Sequence, residues 1–231
     1  MTGLPRLSRL PRLMALGAGL GTAVIVGIAT PAQAASTVVA QWNMEGSGST
    51  MSDSSGRGHT GTLHSVTVRQ PGASGYGYGF TKKPAYVTVP TSSDFRPGTS
   101  NYKVSMSVKT GVVPSSSVGD YDLLRVGLSS TSGGSFKMEI LSNGRAFCDF
   151  RGSSGEVSVT GGPNVADNKW HRLSCSRSGS TVTLSVDGAT YSRSGSTGSI
   201  SNSSTLYIGA KDGGGADQYN GILDSVVITK G

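Results

Sequence analysis

The chain has 231 residues, 35 of them glycine, a formal net charge of +7 at pH 7 and only 14% charged residues. Abundant Gly, Ser and Thr together with only three Glu disfavour helices and fit many strands joined by tight turns. The positive residues are scattered along the chain instead of forming a basic stripe with stacking aromatics, which argues against a nucleic-acid partner.

Residues 1–34 have the pattern of a secretory signal peptide. Three arginines between positions 6 and 12 are followed by an apolar run from 13 to 30 and by the small-residue cleavage site Ala32-Gln33-Ala34. A membrane-spanning anchor is the alternative, because the run is just long enough to span, but its glycines and the cleavage site favour a signal peptide. We expect cleavage before Ala35, a mature charge of +4 and a secreted, extracellular protein that does not insert into a membrane.

Alternating apolar and polar residues predict half-buried antiparallel strands in the rest of the chain, most clearly at 102–109, 136–140 and 181–186. No window keeps a helical period, and no linker divides the sequence. We therefore expect a single domain over residues 35–231.

Short turn signals separate the predicted strands. Ser142-Asn-Gly144 predicts a hairpin between 135–141 and 145–151, and Ser178-Gly-Ser180 predicts another between 169–177 and 181–187. Asp187-Gly188 marks a third turn.

The two cysteines, Cys148 and Cys175, both lie in predicted strands. An even number of cysteines in an exported chain is usually paired, and neither residue has the neighbouring cysteine or helix N-terminus that activates a thiol. We expect one intramolecular disulfide.

The last predicted strand carries an acid in its apolar series. Ile222, Asp224, Val226 and Ile228 share one parity, so alternation predicts that the carboxylate faces the same side as the apolar residues. A buried carboxylate needs a base, a cation or several hydrogen bonds. No Lys or Arg adjoins Asp224, which leaves a distant base, a bound cation or capping of backbone amides.

A set of motifs in a fixed order resembles the laminin G-like jelly-roll domains of secreted bacterial proteins. In chain order the motifs are Trp42-x-Met44-Glu45-Gly-x-Gly, Asp53-Ser-Ser-Gly-x-Gly, Ala85-Tyr-Val-Thr-Val-Pro90, Lys169-Trp-His-Arg-Leu-x-Cys175, Ser180-Thr-Val-Thr-Leu-x-Val-Asp-Gly188, Leu206-Tyr-Ile-Gly-Ala210 and Tyr219-Asn-Gly-Ile-Leu-Asp224. The resemblance implies an all-β fold, a two-sheet antiparallel jelly-roll β-sandwich of the concanavalin A-like type, over the whole mature chain.

Fold resemblance does not determine activity, because this superfold hosts lectins, glycosidases, polysaccharide lyases and adhesion modules. We expect a monomeric, non-catalytic binding module whose partner is a glycan or an extracellular surface protein. A polysaccharide-degrading enzyme and a structural or adhesive cell-wall protein are the alternatives.

The catalytic patterns of the superfold are incomplete in this sequence. The glucanase strand Glu-x-Asp-x-Glu is absent, Glu139 has no acid two residues away, and Asp120 and Asp122 lie in a stretch predicted to be a solvated turn. The available histidines His59, His64 and His171 lack lyase motifs around them. No catalytic residue and no organic cofactor are therefore expected.

Calcium is the one cofactor that the resemblance suggests. Asp224 resembles the final-strand aspartate that holds a structural calcium in related sandwiches, with Asp53 and Glu45 as further ligands and backbone carbonyls completing the shell.

Overall fold

The computed structural model describes residues 35–231, so the predicted signal peptide lies outside the described residues. Among these residues, no helix has the length and apolar character that a membrane span requires. Within residues 35–231 the strands are numbered β1 to β16 in chain order, and one 3-10 turn spans Ser93–Phe95.

Two eight-stranded sheets form the described part of the protein. Sheet I contains β1 (Thr37–Trp42), β4 (Thr67–Pro71), β5 (Tyr76–Gly79), β7 (Tyr102–Lys109), β12 (His171–Ser178), β13 (Thr181–Val186), β14 (Ala189–Ser194) and β16 (Ile222–Lys230). Sheet II contains β2 (Thr50–Met51), β3 (Gly61–His64), β6 (Tyr86–Val89), β8 (Asp120–Val126), β9 (Ser135–Leu141), β10 (Ala146–Gly152), β11 (Gly155–Gly161) and β15 (Leu206–Ile208).

The strand order shows many crossovers. Sheet I runs β14-β13-β12-β7-β16-β5-β4 with β1 also paired to β16, and sheet II runs β11-β10-β9-β8-β15-β6-β3-β2. All strand pairs are antiparallel. This arrangement confirms the predicted all-β jelly-roll sandwich.

The core lies between the two sheets, because each strand turns one set of alternate residues inward. On β7 the inward set begins at Tyr102, whose ring centroid lies 5.1 Å from that of Phe136 on β9 and 6.5 Å from that of Phe150 on β10. These contacts join sheet I to sheet II. All three aromatic side chains are at most 2% exposed.

The first and last strands lie side by side. β1 pairs antiparallel with β16, with Trp42 opposite Val226. Trp42 is fully buried and its indole Nε1 donates to the carbonyl of His59 at 2.7 Å. The buried indole N–H therefore has an acceptor, as a buried polar group requires.

The predicted hairpins are confirmed. β9 pairs with β10, β12 pairs with β13, and β13 pairs with β14. Asp187, in the turn before β14, has a φ of 51° and is followed by Gly188 at 88°. Glycine adopts these left-handed values without steric cost, which is why Asp-Gly is a good two-residue hairpin turn.

The disulfide between Cys148 and Cys175 is also confirmed. It joins β10 of sheet II to β12 of sheet I, with a Cα–Cα distance of 5.3 Å and a sequence separation of 27 residues. The bond therefore crosses the core and ties the two sheets to each other.

Removing this cross-link should destabilise the fold. In a Cys148→Ala/Cys175→Ala variant, the unfolded chain regains the entropy that closure of the loop removes, and the free energy of unfolding should fall by about 3–4 kcal/mol. Denaturant unfolding of both proteins measures this difference. A loss below about 1 kcal/mol would contradict the prediction.

Candidate functional site

The outer face of sheet II carries a polar cavity of ≈ 270 Å³. Its lining comes from β8, β9, β10 and β11 and from two loops that reach over the sheet. The lining residues are Asp120, Arg125, Leu128, Ser129, Ser130, Ser135, Lys137, Glu139, Phe147, Asp149, Arg151, Glu156, Lys211 and Asp217. We call this the polar cavity.

A β-bulge in β8 determines which side chains reach this face. The register of β8 against β9 shifts between Asp122 and Leu124, so that Leu123 is an extra residue. Without the bulge Asp122 and Arg125, three positions apart, would point to opposite faces. With it, both lie on the outer face, where Arg125 Nη1 donates to Asp122 Oδ2 at 2.7 Å.

Asp122 and Glu139 therefore meet on the outer face, because they are direct partners across β8 and β9. Asp122 is fully buried and Glu139 is 2% exposed. This corrects two expectations from the sequence. Asp122 is not in a solvated turn, and Glu139, which has no acid near it along the chain, has one on the neighbouring strand.

Burial and neighbouring like charges raise the pKa values of the acids Asp122, Glu139 and Asp149 on this outer face. We call these three acids the buried row. Burial raises the pKa of Asp122 above its ordinary value, and the charge of Glu139 adds to the increase, while Arg125 opposes it. Burial also raises the pKa of Glu139, although its ion pair with Lys137 Nζ opposes the increase. Asp149, which is 3% exposed, has its pKa raised to about 7.

A second cavity of ≈ 250 Å³ adjoins the polar cavity and shares Arg125, Leu128 and Lys211 with it. Tyr207 on β15 lines this second cavity. Its ring centroid lies 6.0 Å from that of Tyr86 on β6, and the two residues are half-buried. The face therefore changes from charged to aromatic as it passes from β9 to β6.

The aromatic row ends at β3, where the His64 ring stacks on Tyr86 with centroids 4.4 Å apart. His64 Nε2 also contacts the Thr88 hydroxyl at 3.1 Å. At the other end of the face, Phe147 lines the polar cavity, with Lys137 Nζ 5.2 Å from its ring centroid.

Three carboxylates meet at the rim of the polar cavity. Asp120, Asp122 and Asp217 each present an oxygen, and these oxygens lie within 4.8 Å of one another. In the part of the chain that the structure describes, this is the one group of at least three acidic, His or Cys side chains with that spacing. These three residues could hold a metal ion.

Asp224 lies on a different surface from the one predicted. A register shift between Asp224 and Val227 makes β16 bulge, and Ser225 has a φ of 54°. Leu223 pairs with the core residue Val108, so Asp224 points to the outer face of sheet I. The predicted shared face with Val226 and Ile228 is therefore wrong, because the extra residue reverses the alternation.

Asp224 is nevertheless fully buried. Its Oδ2 accepts a hydrogen bond from the Ser74 backbone N–H at 3.0 Å, and its Oδ1 accepts one from the Ser225 hydroxyl at 3.1 Å. These contacts correspond to the alternative in which Asp224 caps a backbone amide.

The other two predicted calcium ligands have separate partners. Asp53 accepts from the backbone N–H groups of Gln41, Ser55 and His59. Burial raises the pKa of Asp53, but these hydrogen bonds outweigh it and leave the pKa below its ordinary value. Glu45 accepts from the Tyr76 backbone N–H.

Asp224, Asp53 and Glu45 do not form a three-residue group of metal-ligand spacing among the described residues. A calcium ion held by them stays a prediction.

His171 has no free ring nitrogen for proton transfer to a substrate. Nδ1 lies 2.7 Å from Asp187 Oδ2, and Nε2 lies 2.9 Å from Asp167 Oδ1. Burial lowers the pKa of His171, but the two carboxylates outweigh it and raise the pKa above its ordinary value. His59 is also paired, with Asp94 Oδ2 at 2.9 Å.

Comparison with known families identifies the fold. Residues 81–231 match the laminin G-type model described as the concanavalin A-like lectin/glucanases superfamily. The chain belongs to this family. A search of curated protein sequences gives no match.

Solved structures show the same laminin G-like fold at low sequence identity. The binding domain of Paraclostridial Mosquitocidal Protein 1 has a TM-score of 0.66 at 14% identity, over 83% of this chain and 48% of that one. Domain 4 of AbnA, an extracellular arabinanase from Geobacillus stearothermophilus solved with arabinotriose, has a TM-score of 0.62 at 14% identity, over 85% and 93%. Mouse laminin alpha1 domains LG4-5 have a TM-score of 0.54 at 17% identity, over 70% and 41%.

The laminin G-like chain spans about half or less of the toxin and laminin structures, and most of the arabinanase domain. At these identities the likeness concerns the fold alone.

The sequence patterns missed most of the polar cavity. Its charged residues come from four strands and from loops far apart along the chain, and no local motif connects them. The sequence of this laminin G-like protein contains one pattern that indicates part of the cavity. Lys137 and Glu139 alternate with the buried Phe136, Met138 and Ile140, and this alternation places both charged residues on one outer face of the sheet.

Asp149 should make the free energy of unfolding depend on pH. Burial raises its pKa from 3.8 to about 7, Glu156 and Glu139 add to the increase, and Lys137 and Arg151 oppose it. Between these two pH values the folded protein holds a proton that the unfolded chain releases. The free energy of unfolding should therefore decrease as the pH rises from about 4 to about 7.

Asp149→Asn should reduce this decrease, because the amide cannot titrate. Chemical denaturation at several pH values measures the slope. Asp212→Asn, which changes an aspartate outside the buried row, is the control and should keep the wild-type slope. An unchanged slope in Asp149→Asn would show that the carboxyl titrates alike in both states.

Proposed function

We propose that this protein is a secreted, non-catalytic carbohydrate-binding module, and that it binds its glycan across the outer face of sheet II. One observation carries the proposal: the polar cavity continues into a cavity lined by Tyr207, with Tyr86 and His64 beyond it. The disulfide is consistent with an oxidising, extracellular location.

The chemistry of a sugar suits such a surface. Sugar hydroxyls both donate and accept hydrogen bonds, so a lining that mixes carboxylates with Arg and Lys can satisfy both roles. The apolar C–H face of a sugar ring packs on the apolar face of an aromatic ring. Phe147 and Tyr207 supply such rings in the two adjoining cavities.

The charge of the polar cavity favours a neutral glycan. Five acids, Asp120, Glu139, Asp149, Glu156 and Asp217, line it together with four bases, Arg125, Lys137, Arg151 and Lys211. This near balance provides many hydrogen-bonding groups without a strong field of one sign. A strongly anionic or cationic polysaccharide would meet as much repulsion as attraction.

The comparisons support a glycan ligand without naming it. One structure with this fold is an arabinanase domain in complex with arabinotriose, and another is a botulinum neurotoxin binding domain in complex with SialylT, at 12% identity. Loops on this fold vary freely, so the ligand of this chain has to be found by screening.

A specific observation favours a glycosidase as the second candidate. Asp122 and Glu139 face each other across two strands, and perturbed carboxylates in a cleft are typical of catalytic sites. Their burial opposes this function, since Asp122 is fully buried and held by Arg125 while Glu139 is held by Lys137. Because a base engages each acid, we favour binding over catalysis.

Substitution of an aromatic ring on the proposed face should weaken glycan binding. An array of neutral and acidic oligosaccharides identifies a ligand, and calorimetry then measures its Kd. Phe147→Ala and Tyr207→Ala should each raise the Kd roughly five- to tenfold, because an aromatic contact is worth about 1 kcal/mol or more.

Tyr76→Ala is the matched control, since Tyr76 is 38% exposed but lies on sheet I. It should leave the Kd unchanged. Equal losses in all three variants would place the ligand elsewhere. Release of new sugar ends from a polysaccharide, abolished by Glu139→Gln, would favour the glycosidase, whereas retention on cell-wall fractions without binding to soluble sugars would favour an adhesive protein.

A further inference from the structure

The loop between β15 and β16 folds back over sheet II where β8 begins. Gly209 N donates to the carbonyl of Leu123, the extra residue of the bulge, at 3.0 Å. Asp122 N donates to the carbonyl of Asp217 at 2.9 Å. The bulge and the loop together bring Asp217 beside Asp120 and Asp122, although about a hundred residues separate them in sequence.

Two of the three carboxylates have one oxygen engaged by a base. Arg125 Nη1 lies 2.7 Å from Asp122 Oδ2, and Lys211 Nζ lies 2.8 Å from Asp217 Oδ2. Asp120 has no salt bridge to a base within the described residues. Because Lys137 pairs with Glu139, no base in residues 35–231 is in contact with the Asp120 carboxylate.

The buried oxygens of this group also lack donors. Asp122 Oδ1 is buried without a hydrogen-bond partner among the described residues, and so is Asp120 Oδ1. Asp122 as a whole is 0% exposed. A buried carboxylate oxygen without a donor costs stability, and a cation is one of the few groups that can satisfy several such oxygens at once.

We propose that Asp120, Asp122 and Asp217 form a binding site for one divalent cation, and that the ion is Ca²⁺. Hard carboxylate oxygens suit Ca²⁺ or Mg²⁺ rather than softer metals. Ca²⁺ accepts six to eight oxygens in flexible geometry, so three carboxylates supplemented by carbonyls and water suffice. Mg²⁺ demands a near-ideal octahedron, which a site shared between a strand and a loop provides less readily.

A bound ion would also affect glycan binding, and this effect rests on the proposed function. Asp120, Asp217 and Lys211 line the polar cavity, and Lys211 also lines the cavity with Tyr207. By fixing the 211–217 loop against β8, the ion would hold the rim of the glycan-binding face in one position. Ca²⁺ would then strengthen glycan binding without having to contact the sugar.

Calorimetric titration of the chelator-treated, full mature chain with CaCl₂ and separately with MgCl₂ tests the site directly. We expect one Ca²⁺ whose binding weakens at least about tenfold in Asp217→Asn and in Asp120→Asn, because each substitution removes one charged ligand. Both variants leave the buried pair of Asp122 with Arg125 intact, and circular dichroism checks that they fold. Asp224→Asn should leave this binding unchanged, since Asp224 lies on the other sheet.

Three results would overturn the site: no Ca²⁺ binding at millimolar concentration, binding that survives both substitutions in folded protein, or tighter binding of Mg²⁺ than of Ca²⁺. Glycan binding is measured separately, with and without Ca²⁺. Cation binding without any glycan ligand would uphold the metal site and count against the proposed function. Glycan binding without cation binding would do the reverse.

Discussion

Side chains alternate between the two faces of every strand in this sandwich, and this alternation separates the core of the protein from its outer surface. Each strand of the sandwich buries one series of alternate residues between the sheets and turns the other series outward. The inward series makes a core that is continuous from Tyr102 to Phe136 and Phe150. The outward series is left for chemistry, and its composition decides what the surface can bind.

Two of the one-residue register shifts in the described strands determine where an acid lies. The bulge at Leu123 places Asp122 and Arg125 on the same outer face, and the bulge at Ser225 turns Asp224 away from the core. Both acids are then covered, one beside the 211–217 loop and the other beside the segment around Ser74. A buried acid on an outer face is tolerated because bases or backbone amides accompany it.

The outer face of sheet II combines these effects in one place. Strand register aligns Asp122, Glu139 and their basic partners in one polar row, and the neighbouring strands continue the face with aromatic rings. The disulfide between the sheets supports this arrangement by linking β10, which carries Phe147 and Asp149, to sheet I. A rigid sheet that displays both hydrogen-bonding groups and rings is suited to holding a sugar by its hydroxyls and by its apolar face.

Local signals in the sequence predict the all-β class, the main hairpins and the disulfide: two-residue periodicity, Asn-Gly, Ser-Gly and Asp-Gly turns, and an even number of cysteines. The jelly-roll type followed from the resemblance to laminin G-like domains. Alternation alone misplaced Asp224 and left Glu139 without an acidic neighbour. Strand pairing in the folded protein fixes these positions, because a bulge reverses the parity of every residue beyond it and leaves no clear local signal. The fold brings together residues as far apart along the chain as Asp120 and Asp217. Their proximity in space depends on the strand topology, so it cannot be predicted from their separation in the sequence.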